Sequence, residues 1–216
     1  MKKIGIVIRD FIENDKFFVG CRKDVMDVFL KYPVEIILVP IYLDFNRVLS
    51  LVKECNGVVL TGGDHFLAND FLLVNYLYQH DIPTLGICLG MQTMALSFGR
   101  GEEINVSLFH NKKSNDTHHV IIKENTLLAD ILQKKDLLVN SRHKTAISST
   151  NLEVSARSED GVIEAVEDKQ KHFFLGVEWH PESLKNKNSD LIFEAFNHFI
   201  SRLSNSFFSK SFMKAL

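Results

Sequence analysis

Residues 84–98 read TLGICLGMQTMALSF, a cysteine set between two glycines where an aliphatic run gives way to a helical one. The short apolar run TLGI is bounded as a buried strand is, and MQTMALSF carries the composition of a helix. Between them, Gly86 and Gly90 flank Cys88 at positions i−2 and i+2, where side chains would crowd a sharp strand-to-helix turn. The spacing is that of a nucleophile elbow with cysteine in place of serine, G-x-C-x-G. Such a turn sets the thiol beside a helix N-terminus, whose partial positive charge favours the reactive thiolate. A cysteine is also a common core residue, so the motif alone leaves both a nucleophile and a buried structural thiol open.

Working outward, the first half of the chain alternates short β-branched runs with helical patterns: KIGIVIR, VMDVFLKY, EIILVPI, FNRVLSLVKEC, GVVL, FLLVNYLYQ and then TLGI. This alternation predicts βαβ units and a parallel sheet. EIILVPI and GVVL lack in/out alternation, as strands covered on both faces do. After Gly99 the pattern changes to shorter strands joined by polar turns, HHVIIKE, DLLVNSRH, LEVSARS, GVIEAVED and FFLGVEW, which predict a smaller mixed or antiparallel region. The fold class is therefore α/β, three-layered, with a mostly parallel central sheet between helices and a smaller mixed C-terminal sheet region. A last helix is predicted over SDLIFEAFNHFISRL, apolar on one face from Leu191 to Leu203, with Ser189 as N-cap. Residues 1–203 are expected to form one catalytic domain. The tail 204–216, SNSFFSKSFMKAL, reads as a frayed end; its phenylalanines would otherwise cover a second copy in a homodimer.

A chain of 216 residues suits one α/β domain, and its net charge of −2 offers no basic excess for nucleic acid. Arg9 and Asp10 interrupt the apolar N-terminal run too early for a signal peptide or membrane span, so a cytoplasmic protein is expected. The three cysteines stand singly, which indicates neither a disulfide framework nor a zinc knot. Cys21 and Cys55 fall in predicted helical segments without flanking glycines and read as structural.

A cysteine nucleophile needs a base, and the base an orienting group. GVEWHPE, residues 176–182, offers both. Pro181 biases His180 toward an extended conformation, in which residues two apart share a face, so His180 and Glu182 point together. VVLTGGDHF places Gly62 and Gly63 after a buried strand, where a backbone N–H can approach a substrate oxyanion, and the N–H of Leu89 supplies a second donor at the elbow. Alone, each feature has a plainer reading: a core histidine, a helix N-terminal carboxylate, a simple glycine turn.

Taken together, TGGDHF, GICLGMQ, VNSRHKTAI, DGVIEAVE and GVEWHPE resemble the class I glutamine amidotransferase domains, and especially their γ-glutamyl hydrolase branch, in order and spacing over residues 1–203. The resemblance implies a Cys88, His180, Glu182 triad, an oxyanion hole at Gly63 and Leu89, and a thioester between Cys88 and the γ-carbonyl of a glutamyl group, which water then releases. It also implies substrate contacts at Gln92 and along Arg142, His143, Lys144 and Thr145. No metal or organic cofactor is expected. The chain leaves no length for a synthase domain, so it acts alone on a small γ-glutamyl conjugate or works as the glutaminase partner of a separate synthase. DGVIEAVE favours the hydrolase, while the compact segment SLFHNKKSNDTHHV departs from that branch. The whole chain also resembles a short branch acting on a γ-glutamyl nucleotide conjugate; that implies cationic or amide donors for a pyrophosphate, for which Arg9, Arg22, Arg142, His143 and Lys144 are the candidate positions. His110, His118 and His119 lack the further ligands of a recognisable metal set and read as surface or strand-edge residues.

Overall fold

The computed structural model describes residues 1–106, 110–111 and 118–202. Five parallel strands form its centre: β1 (Lys2–Glu13), β3 (Val34–Pro40), β4 (Gly57–Leu60), β5 (Thr84–Ile87) and β12 (Phe174–Val177), in the order β3-β1-β4-β5-β12. Four antiparallel strands continue this sheet from β12: β11 (Ile163–Glu167), β10 (Glu153–Ser158), β7 (His118–Ile122) and β8 (Asp136–Val139). A separate pair, β6 (Glu103–Asn105) and β9 (Thr145–Ile147), lies off the main sheet. The expected α/β architecture is present, with the antiparallel strands extending the central sheet itself.

Two apolar clusters lie on opposite faces of the sheet and make the three layers. One joins Ile4, Ile6, Leu85, Ile87, Leu175 and Val177 to Val25 and Phe29 and to Phe193 and Phe196. These last come from helices α1 (Lys23–Asp27) and its following turn, and α7 (Lys187–Arg202). The other cluster joins Val7, Val39, Val58 and Leu60 to helices α2 (Phe45–Val52), α3 (Ala68–Gln79) and α4 (Leu89–Ser97). β4 is buried on both faces, which explains why GVVL shows no polar alternation, whereas β3 lies at the edge of the sheet, paired with β1 alone and with Leu38 44% exposed, so EIILVPI is not the doubly covered central strand that its pattern predicts.

Several expectations need correction. β1 runs on through Glu13 and turns back as β2 (Lys16–Gly20), a hairpin that the sequence reading does not separate. Asn14 and Asp15 form its turn at φ 50° and 58°, the left-handed pair that matches the twist of two strands. The hairpin leaves Ile12 and Phe17 strongly exposed and stacks Phe11 on Phe18. Cys21 and Cys55 sit just outside helices, in the loops before α1 and after α2. α7 starts at Lys187 rather than at Ser189; Asn186 is the capping residue, its Oδ1 accepting the Ser189 N–H at 2.9 Å, so Ser189 lies buried in the first turn. A further helix, α5 (Leu127–Leu132), follows β7 and is capped by Thr126, which accepts from Ala129 N–H. Leu203, the tail 204–216 and most of the segment 107–117 lie outside the described residues. Among the described residues, no helix is long and apolar enough to cross a membrane.

Candidate active site

The carboxyl ends of parallel strands are where loops turn into helices and where ligands bind in an open sheet. β4, β5 and β12 end side by side there, in a register that pairs Leu60 with Gly86 and Val177 with Ile87. Cys88 follows β5 directly, its N–H donating to Val177 O at 2.8 Å. The turn into α4 puts Cys88 at φ 52°, ψ −112°, a strained conformation for a residue with a side chain, of the kind that clusters at active sites. Both flanking glycines are dictated by contact. A Cβ at Gly90 would fall 2.2 Å from Leu60 O, and one at Gly86 2.5 Å from Met94 Sδ. Cys88 is buried, 8% exposed as a residue, and its side chain borders the apolar core beneath the strand ends.

His180 and Glu182 come together as expected, with Nδ1 2.7 Å from Glu182 Oε1. The local cause differs from the extended pairing read from the sequence. His180 caps a short helix, α6 (Pro181–Leu184), and Glu182 reaches back from its first turn. The imidazole edge and the cysteine Cβ share one neighbour: a Cβ built on Gly62 would lie 3.2 Å from His180 Cε1 and 3.6 Å from Cys88 Cβ. Among the described residues no hydrogen bond links the sulfur to the ring, a looseness common before substrate arrives.

Gly63 is wedged between Arg9 and Leu89, where a Cβ would come within 2.6 Å of Arg9 Cδ and 2.9 Å of Leu89 Cδ2. The Leu89 N–H reaches the Cys88 sulfur. Gly62 and Leu89 therefore border Cys88, and Gly63 lies behind them against Leu89. Arg9 is committed elsewhere: its guanidinium grips Asp70 through two bonds of 2.9 and 2.7 Å, both residues being buried. That removes it from the set of free cations in the cleft.

One expectation about the thiol is reversed. The helix N-terminus does not carry it into the thiolate range. Burial pushes it well above its ordinary value, Glu178 adds to the push, and the Leu89 N–H opposes only in part. Glu178 itself is fully buried, and burial together with Glu164 lifts its carboxyl well above the usual range against the hydrogen bond from Gln92. Gln92 is turned inward, its amide donating to Glu178 Oε1 at 2.6 Å and to Thr145 O at 3.0 Å.

The segment 142–145 divides. Arg142 stays at the rim, donating to Ser183 Oγ at 3.0 Å; partial burial and the nearby charge of Arg22 lower its pKa, while Glu182, Asp24 and Cys88 oppose. Lys144 is exposed and Thr145 is half-buried. His143 points inward, its Nδ1 bonded to Thr145 O at 2.9 Å and 3.2 Å from Glu178 Oε1, and burial pushes its pKa down to about 4. His110 and His118 contradict the surface reading: both are buried, whereas His119 is exposed and faces Asp136. Alternation along β7 turns His118 inward and His119 outward.

Asn140 is a residue that the sequence reading missed. Its Oδ1 accepts the His180 N–H at 2.8 Å and its Nδ2 donates to His180 O at 2.9 Å, clamping the backbone that carries the imidazole. Its position at the start of NSRHKT was the available signal. Asn140→Ala is expected to lower kcat by about tenfold to a hundredfold with little change in KM, because a misplaced base loses alignment before it loses substrate. Asn140→Asp keeps the acceptor for the His180 N–H and should retain more of the rate; steady-state kinetics of the two variants checks this.

The cysteine elbow after β5 and the histidine–glutamate pair after β12 stand at neighbouring strand ends, in a chain that is glutamine amidotransferase-like. The chain belongs to the peptidase C26 family, whose model matches residues 67–182. It is 30% identical over 149 residues to one of the subunits of the glutamine-hydrolysing GMP synthase of Methanosarcina acetivorans, covering 68% of this chain and 74% of that one. It is 26% identical to the CTP synthase of Flavobacterium psychrophilum across 65% of this chain, and spans 33% of that enzyme's length. The fold is shared with the glutaminase domain of Trypanosoma brucei CTPS, solved with bound acivicin, at a TM-score of 0.69, 17% identity and 94% coverage of both chains.

Proposed function

We propose that the protein hydrolyses a γ-glutamyl amide through Cys88, His180 and Glu182. The observation that carries this reading is the strained cysteine at the end of β5 with the His180–Glu182 pair beside it across Gly62. In the first half-reaction His180 takes the thiol proton as Cys88 Sγ attacks the γ-carbonyl. The N–H groups of Leu89 and Gly63 meet the oxyanion. His180 then returns the proton to the departing nitrogen, leaving a glutamyl thioester. Water, deprotonated by His180, attacks the thioester, and glutamate leaves as the thiol is restored. Glu182 holds the ring in the tautomer that keeps Nε2 available and stabilises the imidazolium formed in each half. The raised thiol pKa makes proton removal part of the attack rather than a resting condition.

For the substrate we infer γ-glutamyl-CDP-amidate, hydrolysed to glutamate and CDP-amidate for capsule modification. Two cations at the rim support it. Arg142 lies close enough to Glu182 and Cys88 to feel their charge, and the charge of Arg22, which holds Asp24 at 2.9 Å on the exposed side, reaches it as well. Guanidinium groups at such a rim suit a pyrophosphate in the leaving group once it displaces their present partners, Ser183 and Asp24. Arg9 and the inward His143 drop out of that role. In this reading residues 1–203 act as one catalytic unit in the cytoplasm, a setting that suits three free thiols.

The synthase relatives favour a second reading, a glutaminase subunit that feeds ammonia to a separate synthase; γ-glutamyl-aminobutyrate or a similar amine conjugate is the alternative hydrolase substrate. The purified chain assayed for glutamate release separates the three. Rapid release from γ-glutamyl-CDP-amidate with no other protein present is expected. Faster turnover of γ-glutamyl-aminobutyrate would move the substrate assignment, and turnover of glutamine only upon addition of a synthase would establish the glutaminase role.

A further inference from the structure

Behind the cleft, His110, His118 and His143 converge on one carboxylate, Glu164 of β11, and all four residues are buried. His118 Nε2 donates to Glu164 Oε1 at 2.9 Å. The other two rings face the same oxygen at longer range, His110 Nδ1 at 3.6 Å and His143 Nε2 at 3.8 Å. Their far nitrogens are already engaged. His110 Nε2 bonds Asp160 Oδ2 at 2.9 Å and His143 Nδ1 bonds the Thr145 carbonyl at 2.9 Å. A neutral imidazole that donates from one nitrogen presents a lone pair at the other. Two imidazole lone pairs and a carboxylate thus face one another, and within the described residues His143 Nε2 and Glu164 Oε2 are buried without a hydrogen-bond partner. Acceptors gathered in this way repel one another unless a cation stands among them.

We propose that His110, His143 and Glu164 bind a zinc-type divalent cation, with His118 steering the carboxylate from behind. One atom from each of the three ligands lies within 4.8 Å of the others. A tetrahedral ion with bonds of about 2.1 Å has ligand separations of about 3.4 Å, so the observed 3.6 and 3.8 Å close with shifts of a few tenths of an ångström. The outer contacts match the pattern that orients metal-bound histidines: a carboxylate holds one ring and a backbone carbonyl the other. Two imidazoles and a carboxylate suit zinc, cobalt or nickel and not calcium or magnesium, which take oxygen ligands.

The ion's place in the fold indicates its role. Glu164 lies beside Glu178, whose N–H donates to Glu164 O at 2.7 Å, and His143 belongs to the segment that carries Arg142 and receives Gln92 at Thr145. A cation there ties residues 140–145 to β11 and to the loop bearing His110. It is a strut beneath the substrate-facing segment and takes no part in the acyl transfer.

The test uses the full chain, stripped with a chelator, reloaded with zinc and freed of excess ion by gel filtration. One zinc per chain is expected, together with a higher Tm than that of the stripped protein. His143→Ala and Glu164→Gln should lose that zinc, while His119→Ala, altered at an exposed neighbour, should keep it. Cobalt loaded into the unaltered chain should give the intense visible absorption of a tetrahedral site, an outcome independent of how the variants fold. A wild-type chain that retains no zinc, variants that retain a full equivalent, or a weak octahedral cobalt spectrum would each overturn the site.

Discussion

Cys88→Ala is expected to lower kcat for glutamate release on the order of 10⁴–10⁶-fold, the loss typical of removing a nucleophile whose residual rate comes from binding and oxyanion contacts alone. The side chain is small, and alanine keeps the Cβ that packs near Gly62, so folding should be preserved. His180→Ala should lose a comparable factor, because without a base the attack must begin from a thiol that burial holds protonated. The double variant should be little slower than either single one, since the two groups act as a unit. Single-turnover and steady-state measurements of glutamate, with circular dichroism to confirm the fold, check the three together. Additive losses in the double variant would mean that sulfur and imidazole serve separate steps.

The second large effect concerns stability. Gly90→Ala would drive a methyl group to 2.2 Å from the Leu60 carbonyl, and backbone on both sides leaves no flexible side chain to yield. The helix must lift from the sheet end, at a cost of at least about 3 kcal/mol. For a chain of this size that corresponds to a Tm lower by roughly 6–12 °C. The shift would also pull Leu89 N–H away from the sulfur, so activity should fall more steeply than the folded fraction. Thermal unfolding followed by circular dichroism, set beside kcat at low temperature, separates the two losses.

The strand, elbow and helix at 84–98 are legible in the sequence because local sterics write them locally: two glycines are needed where α4 crosses the strand end, and no other residue type fits. The HPE turn is legible for the same reason, although its proline opens a short helix instead of extending a strand. What stayed hidden depends on register. Glu164 in β11 and Glu178 just past β12 become neighbours only when the two strands pair. Asn140 meets His180 across forty residues of chain. Arg9 meets Asp70 from the far end of β1, a contact that turns an apparent cleft cation into an internal brace. The three histidines illustrate the limit most clearly, for His118 and His119 are adjacent in sequence and opposite in environment. Only the Asn14–Asp15 turn carries a local signal that the strand pattern hides, two left-handed formers between alternating strands.

The buried acids beneath Cys88 have a consequence for the protein's survival in a reactive milieu. Peroxides and alkylating agents consume thiolate, and burial, with Glu178 adding to the push, holds the sulfur in its neutral thiol form. A glutamyl carbonyl seated against the imidazole supplies what those reagents lack, a base already aligned for the same proton. The sulfur is thus dormant toward bystanders and awake to its own substrate, a selectivity set by the electrostatics of the floor it stands on.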